Sequence, residues 1–255
     1  MRLGSRAAAP LWFAVVAALL CLFVLIRGLF ADAASAARQA APQATLGIEV
    51  YDRATDRILV AANQDLAFPA ESVVKLLIGY DALAHHTGSA ARVAQMLSRS
   101  DDGIADALWS AGGGPKVVMR SAALMGLRHT IPPTDSARWG DTTITADDVV
   151  RVYKFLESAD QQAVVNALYH APAVAADGFD QSFGIPTAVG AGQWWVKQGW
   201  GCCRPDRVLH TTGLVGTGQR YVVAILSSAL SSANAADDAA AITAATRVLT
   251  QNLGA

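Results

Sequence analysis

Phe68-Pro69-Ala70-Glu71-Ser72-Val73-Val74-Lys75 sets a serine and a lysine three residues apart at the predicted start of a helix. Residues i and i+3 share a helix face, so the Ser72 hydroxyl can lie within reach of the Lys75 amine. A serine becomes an effective nucleophile when a nearby base takes its proton, and a desolvated lysine can be that base. Lysine is scarce in this chain: Lys75, Lys116, Lys154 and Lys197 stand against sixteen arginines. An ordinary helix start, with a serine near its cap and a solvated lysine, reads the same way, so the stretch acquires meaning only from other segments.

Outward from it, the pattern is strands, then helices, then strands. Leu46–Tyr51 and Arg57–Ala62 read as a hairpin around Asp52-Arg53-Ala54-Thr55-Asp56. The helix from Ser72 carries Leu76, Leu77, Tyr80 and Leu83 on its buried face. Further helices are predicted over 92–98, 101–111 and 116–125, with glycine stops at Gly112-Gly113-Gly114-Pro115 and Gly126. Residues 128–144 read as a loop. Thr145 with Asp148 marks the N-cap of a helix over 146–157, continued by a second helix over 160–169. Strands follow at 193–198, 207–214 and 219–227, and an alanine-rich helix over 234–252 closes the chain. This order predicts an α/β (α+β) fold: one five-stranded antiparallel sheet, completed by both halves of the chain and covered by helices, with a reduced all-helical half. It also predicts that Ser72 lies close to the 193–199 strand.

Residues 1–45 stand apart. Arg2 and Arg6 precede an apolar run from Leu11 to Ile26, which reads as a signal peptide or an uncleaved membrane anchor within 1–30. An Ala/Ser-rich linker over 31–45 is expected next, then a single domain over 46–255. Either reading of the apolar run exports the domain to the cell envelope, with the membrane as a partner if the segment is uncleaved. Leu20 precedes Cys21 where a lipoprotein signal requires a small residue, which argues against a lipid anchor at that cysteine. Cys202 and Cys203 are adjacent and could be free thiols, a vicinal disulfide or links to another chain. The net charge of −1 gives no nucleic-acid footprint, and a monomer is expected.

Two more segments give Ser72 and Lys75 company: Ser100-Asp101-Asp102, just before a helix, and Lys197-Gln198-Gly199, at the end of the apolar strand Gln193-Trp194-Trp195-Val196. Ser-x-x-Lys, then Ser-x-Asn, then Lys-Thr/Ser-Gly in this order resembles the signature of penicillin-recognising serine hydrolases. Leu108 to Gly126 and Asp141-Thr142-Thr143 look like corresponding parts of class A β-lactamases, so the resemblance runs over 46–252. It implies Ser72 as acylated nucleophile, Lys75 as its proton acceptor and Ser100 as proton shuttle to the leaving nitrogen. It implies Lys197 as a group that lowers neighbouring pKa values and attracts a substrate carboxylate. The Ser72 and Trp200 backbone N–H groups would form the oxyanion hole. Asp102, Gln198, Gly199, Trp200 and Arg207 would border the substrate, Arg207 as a carboxylate-binding arginine. The implied substrate is a β-lactam or a peptidoglycan-derived peptide, with no cofactor and no metal. Two lysines close together also depress each other's pKa, which suits one of them to act as a base.

The departures are chemical. Asp102 stands where the family has an amide donor, and Gln198 where it has a small hydroxyl. The interval from Ser72 to Ser100 is short for the family. Class A enzymes deacylate with a glutamate in the loop that 128–144 resembles. The glutamates here are Glu49, Glu71 and Glu157, none of them in that loop, where Arg138-Trp139-Gly140-Asp141 stands instead. Asp135 or Asp141 could substitute, but with a shorter reach. Without a base to activate water an acyl-enzyme persists, so slow deacylation is expected.

Other features carry less. His85-His86 lacks companions at metal-ligand spacing. His210 reads as a packed strand residue. Trp194, Trp195 and Trp200 either line a ligand wall or fill the core. Asp102, Gln198 and the missing loop glutamate also sustain an alternative to the hydrolase: an impaired pseudo-enzyme that binds envelope peptide or a membrane partner.

Overall fold

A computed structural model describes residues 33–157, 161–169, 171–232, 234–251 and 253. The expected signal or anchor within 1–30 lies outside the described residues. Among the described residues no helix is long and apolar enough to cross a membrane.

Five strands form one antiparallel sheet: β1 (Ala44–Asp52), β2 (Arg57–Ala62), β5 (Trp194–Gly201), β6 (Arg207–Val215) and β7 (Tyr221–Ala229). Their spatial order is β2-β1-β7-β6-β5, so β5 is an edge strand. A two-stranded ribbon pairs β3 (Phe68–Pro69) with β4 (Thr143–Ile144). The sheet is the one the sequence predicts, with strands from both chain halves meeting where β1 pairs β7.

Strand alternation loads both faces. Val222, Ala224 and Leu226 of β7, with Leu214 of β6, join a core with α2 (Lys75–Ala84), α3 (Ala90–Arg99), α4 (Asp102–Ala111), α5 (Lys116–Met125) and α6 (Ala146–Leu156). Val223 and Ile225, with Leu46, Ile48 and Val50 of β1, join a second core on the opposite face. That face is covered by α9 (Ala235–Thr250) through Ile242, Ala245 and Leu249. Two short helices, α7 (Gln162–Asn166) and α8 (Ile185–Val189), lie between α6 and β5.

The linker expected over 31–45 is structured in its described part. Residues 33–40 are helical (α1), and Ala34, Ala37 and Ala41 are buried against the second core. Alanine is the strongest helix former, and the three- and four-residue spacing places these small side chains on one face. The folded unit therefore starts before residue 46. The helix expected over 160–169 is shorter, and Tyr169 instead bridges Trp195.

Polar clamps fix the small helical half. Arg120 reaches Asp81 of α2 with two hydrogen bonds of 2.9 and 2.8 Å and the Gly112 carbonyl at 2.7 Å. The side chain of buried Asp148 accepts from Arg128 N, His129 N and Thr130 Oγ1 at 2.7, 2.8 and 2.7 Å, tying the entry of the 128–144 loop to α6. Thr145 caps α6, as the sequence predicts, accepting from Asp148 N at 3.2 Å. Paired this way, buried carboxylates recover much of their desolvation cost.

Glu49 is not so clamped. It is buried beneath α6, and Oε2 has no hydrogen-bond partner among the described residues. Burial first, and Asp147 second, push its carboxyl from 4.5 up to about 7. The folded chain therefore holds a proton that the unfolded chain loses between these values, and stability falls as pH rises through that window. Glu49→Gln is expected to melt above the wild type at about pH 8 and level with it at about pH 4. An equal difference at both pH values in thermal melts would contradict this assignment.

Candidate active site

Ser72 sits on a 3-10 turn, Glu71–Val74, that runs directly into α2, and it is 5% exposed. The turn is pinned from two sides. Ala70 N donates to Thr142 O at 2.6 Å, and His210 contacts the Pro69 carbonyl through Nε2 at 2.8 Å. His210 Nδ1 accepts from Ser227 N at 3.0 Å, so Nε2 carries the hydrogen. Burial pushes this imidazole down to about 4, leaving it a neutral structural strut, as the strand reading predicts.

The lysine does reach the serine. Lys75 Nζ is 2.8 Å from Ser72 Oγ, 2.9 Å from Ser100 O and 3.2 Å from Ser100 Oγ. Its fourth partner is a carboxylate oxygen of Asp102. Lys197 Nζ comes from β5 to 2.9 Å from the same Ser100 Oγ and 2.8 Å from Gln198 O. Ser100 ends α3 in the left-handed region, φ 53°, which turns both its carbonyl and its hydroxyl inwards. Asp101, the middle residue of the motif, is a helix cap: it accepts from Ile104 N at 3.0 Å and starts α4. Ser72, Lys75, Ser100 and Lys197 thus form one buried hydrogen-bonded chain.

Burial lowers the pKa of both lysines. For Lys75 it is opposed by the hydrogen bond and charge of Asp102, which favour the ammonium. Lys197 is held well below its ordinary value by burial first and then by the charge of Lys75. Trp139 covers the site from the loop side, its ring 4.7 Å from Lys75 Nζ, and is held by Nε1 donating to Asp106 at 2.7 Å.

Gly199 keeps β5 close to the serine turn: a Cβ there would stand 3.0 Å from Val73 and 3.1 Å from the Ala70 carbonyl. Val196 N donates away from β6, to Leu168 O at 3.0 Å. Two-residue periodicity then puts the Trp200 N–H on the same free edge. The Trp200 ring stacks on Phe179 at 4.6 Å between centroids, donates to Asp177 at 3.0 Å and lies 5.6 Å from Lys197 Nζ.

Three expected substrate contacts are placed otherwise. Gln198 alternates with Lys197 along β5, so its side chain turns away and donates to Gln181 O and Phe183 O at 3.2 and 2.6 Å. Arg207 lies on the sheet face covered by α9, where it pairs with Asp238 at 2.7 Å; the odd positions of β6 face that helix, whereas His210 and Thr212 face the site. Asp102, expected to face a substrate amide, is the partner of Lys75. The structure joins Cys202 and Cys203 as a vicinal disulfide just beyond β5. Neither loop aspartate is free: Asp141 pairs with Arg138 at 2.6 Å, and Asp135 caps Ala137 N at 3.0 Å.

Two neighbours escaped the sequence reading. Asp177 lies on the loop before α8, which is fastened to α3 by Ala176 N donating to Arg99 O at 2.7 Å. Its negative charge favours the ammonium forms of Lys75 and Lys197. Glu71, beside the serine, is the other. No motif flags Asp177, whereas the position of Glu71 next to Ser72 was a visible signal.

The sheet, the helical half and the buried serine–lysine chain define the class A β-lactamase type of fold. A class A β-lactamase from Bacteroides cellulosilyticus superposes with a TM-score of 0.73 at 15% identity, over 89% of this chain and 98% of that one. An acyl-enzyme complex of a PBP-A variant with penicillin G gives a TM-score of 0.67 at 15% identity, over 88% and 96%. No family model matches the sequence. At the sequence level, the chain belongs to the family of a Mycobacterium tuberculosis protein named "Putative lipoprotein LppW". The two are 37% identical over 229 residues, covering 84% of this chain and 72% of that protein.

The geometry makes Asp102 the main counterweight to the desolvation of Lys75. In Asp102→Asn the Lys75 ammonium is expected to lose its proton at lower pH. With only four lysines in the chain, NMR titration of the Nζ resonances reads this directly. A midpoint that stays put or rises would contradict the assignment.

Proposed function

We propose that this protein is an exported serine acyl-transfer enzyme that opens the amide of a β-lactam or a peptidoglycan-derived peptide through an acyl-Ser72 intermediate. The supporting observation is the convergence of Lys75, Ser100 and Lys197 on Ser72 within hydrogen-bond distance. Neutral Lys75 takes the Ser72 proton as Oγ attacks the carbonyl carbon. The Ser72 and Trp200 N–H groups face the developing oxyanion, the second from the free edge of β5. As the C–N bond breaks, Ser100 passes its proton to the leaving nitrogen and recovers one from the lysines on either side. Lys197 also supplies positive charge for a substrate carboxylate. The lipoprotein name of the M. tuberculosis relative supports attachment to the cell envelope.

Deacylation is the slow half of this cycle, because residues 128–144 bring no glutamate to the site. The ion pair between Lys75 and Asp102 supports a second reading. A carboxylate that keeps the proton on Lys75 suppresses the base and leaves a protein that binds envelope peptide without turning it over.

Intact mass after incubation with benzylpenicillin separates the two. Acyl transfer predicts a stoichiometric adduct that accumulates and is absent from Ser72→Ala. The binding reading predicts no adduct, with peptide binding indifferent to Ser72→Ala. An adduct that survives Ser72→Ala would refute the nucleophile assignment.

A further inference from the structure

Glu71 is ionisable, lies next to the nucleophile in sequence, and has no part in the chain of hydrogen bonds around it. Its backbone is in the left-handed region at φ 46°, where a non-glycine residue is uncommon. The carboxyl occupies a slot between the 139–141 turn and the end of β5. A Cβ at Gly140 would come within 3.2 Å of Glu71 Oε2, and one at Gly201 would collide with Oε1. Two glycines, one from the 139–141 turn and one from β5, therefore leave room for this carboxyl. Trp139, the neighbour of Gly140, is the residue that covers Lys75. The carboxyl thus stands against the same turn that closes the site.

No hydrogen bond or ion pair engages the Glu71 carboxyl among the described residues. The charges around it are Asp141 and Arg138 from the turn, Asp102 at the start of α4 and Lys75 of α2. The strand β5 approaches with uncharged Gly201. Arg138 is committed to Asp141 at 2.6 Å. Burial first, then Asp141, pushes the Glu71 carboxyl from 4.5 up to about 7, where a carboxylate can take a proton and give it back.

We propose that Glu71 is the general base that activates water for deacylation, acting from the position before the nucleophile in place of a glutamate in the 128–144 loop. This rests on the acyl-Ser72 reading. Water gives a proton to the Glu71 carboxylate as its oxygen bonds to the acyl carbon, and the carbonyl electron pair moves to the oxyanion. When the carbonyl re-forms, the bond from carbon to Ser72 Oγ breaks. Oγ receives the proton from Glu71, the product leaves as a carboxylic acid, and both residues return to their starting states.

The test follows the decay of the benzylpenicillin adduct by intact mass after removal of free ligand, from about pH 5 to about pH 9. In the wild-type chain the decay rate is expected to rise with pH through one inflection near 7, because the ionised carboxylate is the active form. In Glu71→Gln the inflection disappears and the adduct lasts on the order of a hundredfold longer, while adduct formation changes far less. A merely structural role would instead lower the melting temperature and slow both steps together. Wild-type decay without an inflection in this range overturns the proposal even if the variant fails to fold. So does Glu71→Gln decaying with the wild-type rate and profile. Failure of the wild type to form any adduct overturns the acyl-Ser72 reading and this proposal with it.

Discussion

A fully buried amine with four oxygen partners joins the two halves of this fold. Lys75 draws one partner from its own turn, Ser72, one residue from the end of α3, Ser100, and one from the start of α4, Asp102. Lys197 brings the sheet to the same Ser100 hydroxyl. Removing an amine from water is costly unless its protons are accepted, so these oxygens must stay where they are. That requirement explains the left-handed Ser100, the cap at Asp101 and the strut from His210 to Pro69. Each fixes the backbone of a segment that presents an oxygen or an amine to the cluster.

The sheet was legible because β-strand alternation is a local signal, and both faces of β7 are apolar in turn. The four central residues were legible because three short motifs fall in order along the chain, at a helix start, at a helix end and within strand β5. Their flanks were not. Lys197 and Gln198 are consecutive on a strand, so only one of them can point at Ser100. Arg207 carries the parity of Leu209, which packs under α9, while Thr212 and His210 carry the parity of the site. Parity across the β5–β6 turn depends on the geometry of residues 202–206, where the vicinal disulfide sits, and no motif spacing encodes it. The alanine stretch before β1 was ambiguous for a different reason. Small residues suit both a solvated linker and a close-packed helix, and only a receiving face on the sheet decides between them.

Glu71 shows why long-range packing hides a side chain's chemistry. In sequence it is an acidic residue before a helix, a position that ordinarily reflects the helix dipole. In the fold it is enclosed by Gly140 and Gly201, two residues distant in the chain and identified by their lack of a side chain. Its raised pKa comes from that enclosure and from Asp141. Nothing local to Glu71 encodes either cause.

Lys75, Lys197 and Glu71 are displaced towards a common form. Burial lowers both lysines and raises Glu71, in each case favouring the neutral form. Such a centre disfavours folding at neutral pH, because every one of these groups would be better solvated in the open chain. Stability must be supplied outside it, and the polar clamps of the helical half lie there. Arg120 locks α5 onto α2, the helix whose first residue is Lys75, and Asp148 holds the entry of the loop that carries Trp139. These are hydrogen bonds made by carboxylates with fixed geometry, the kind that resists rearrangement. They let a shortened helical half bear a site of desolvated amines and acid, and they do so without placing another charge against Ser72.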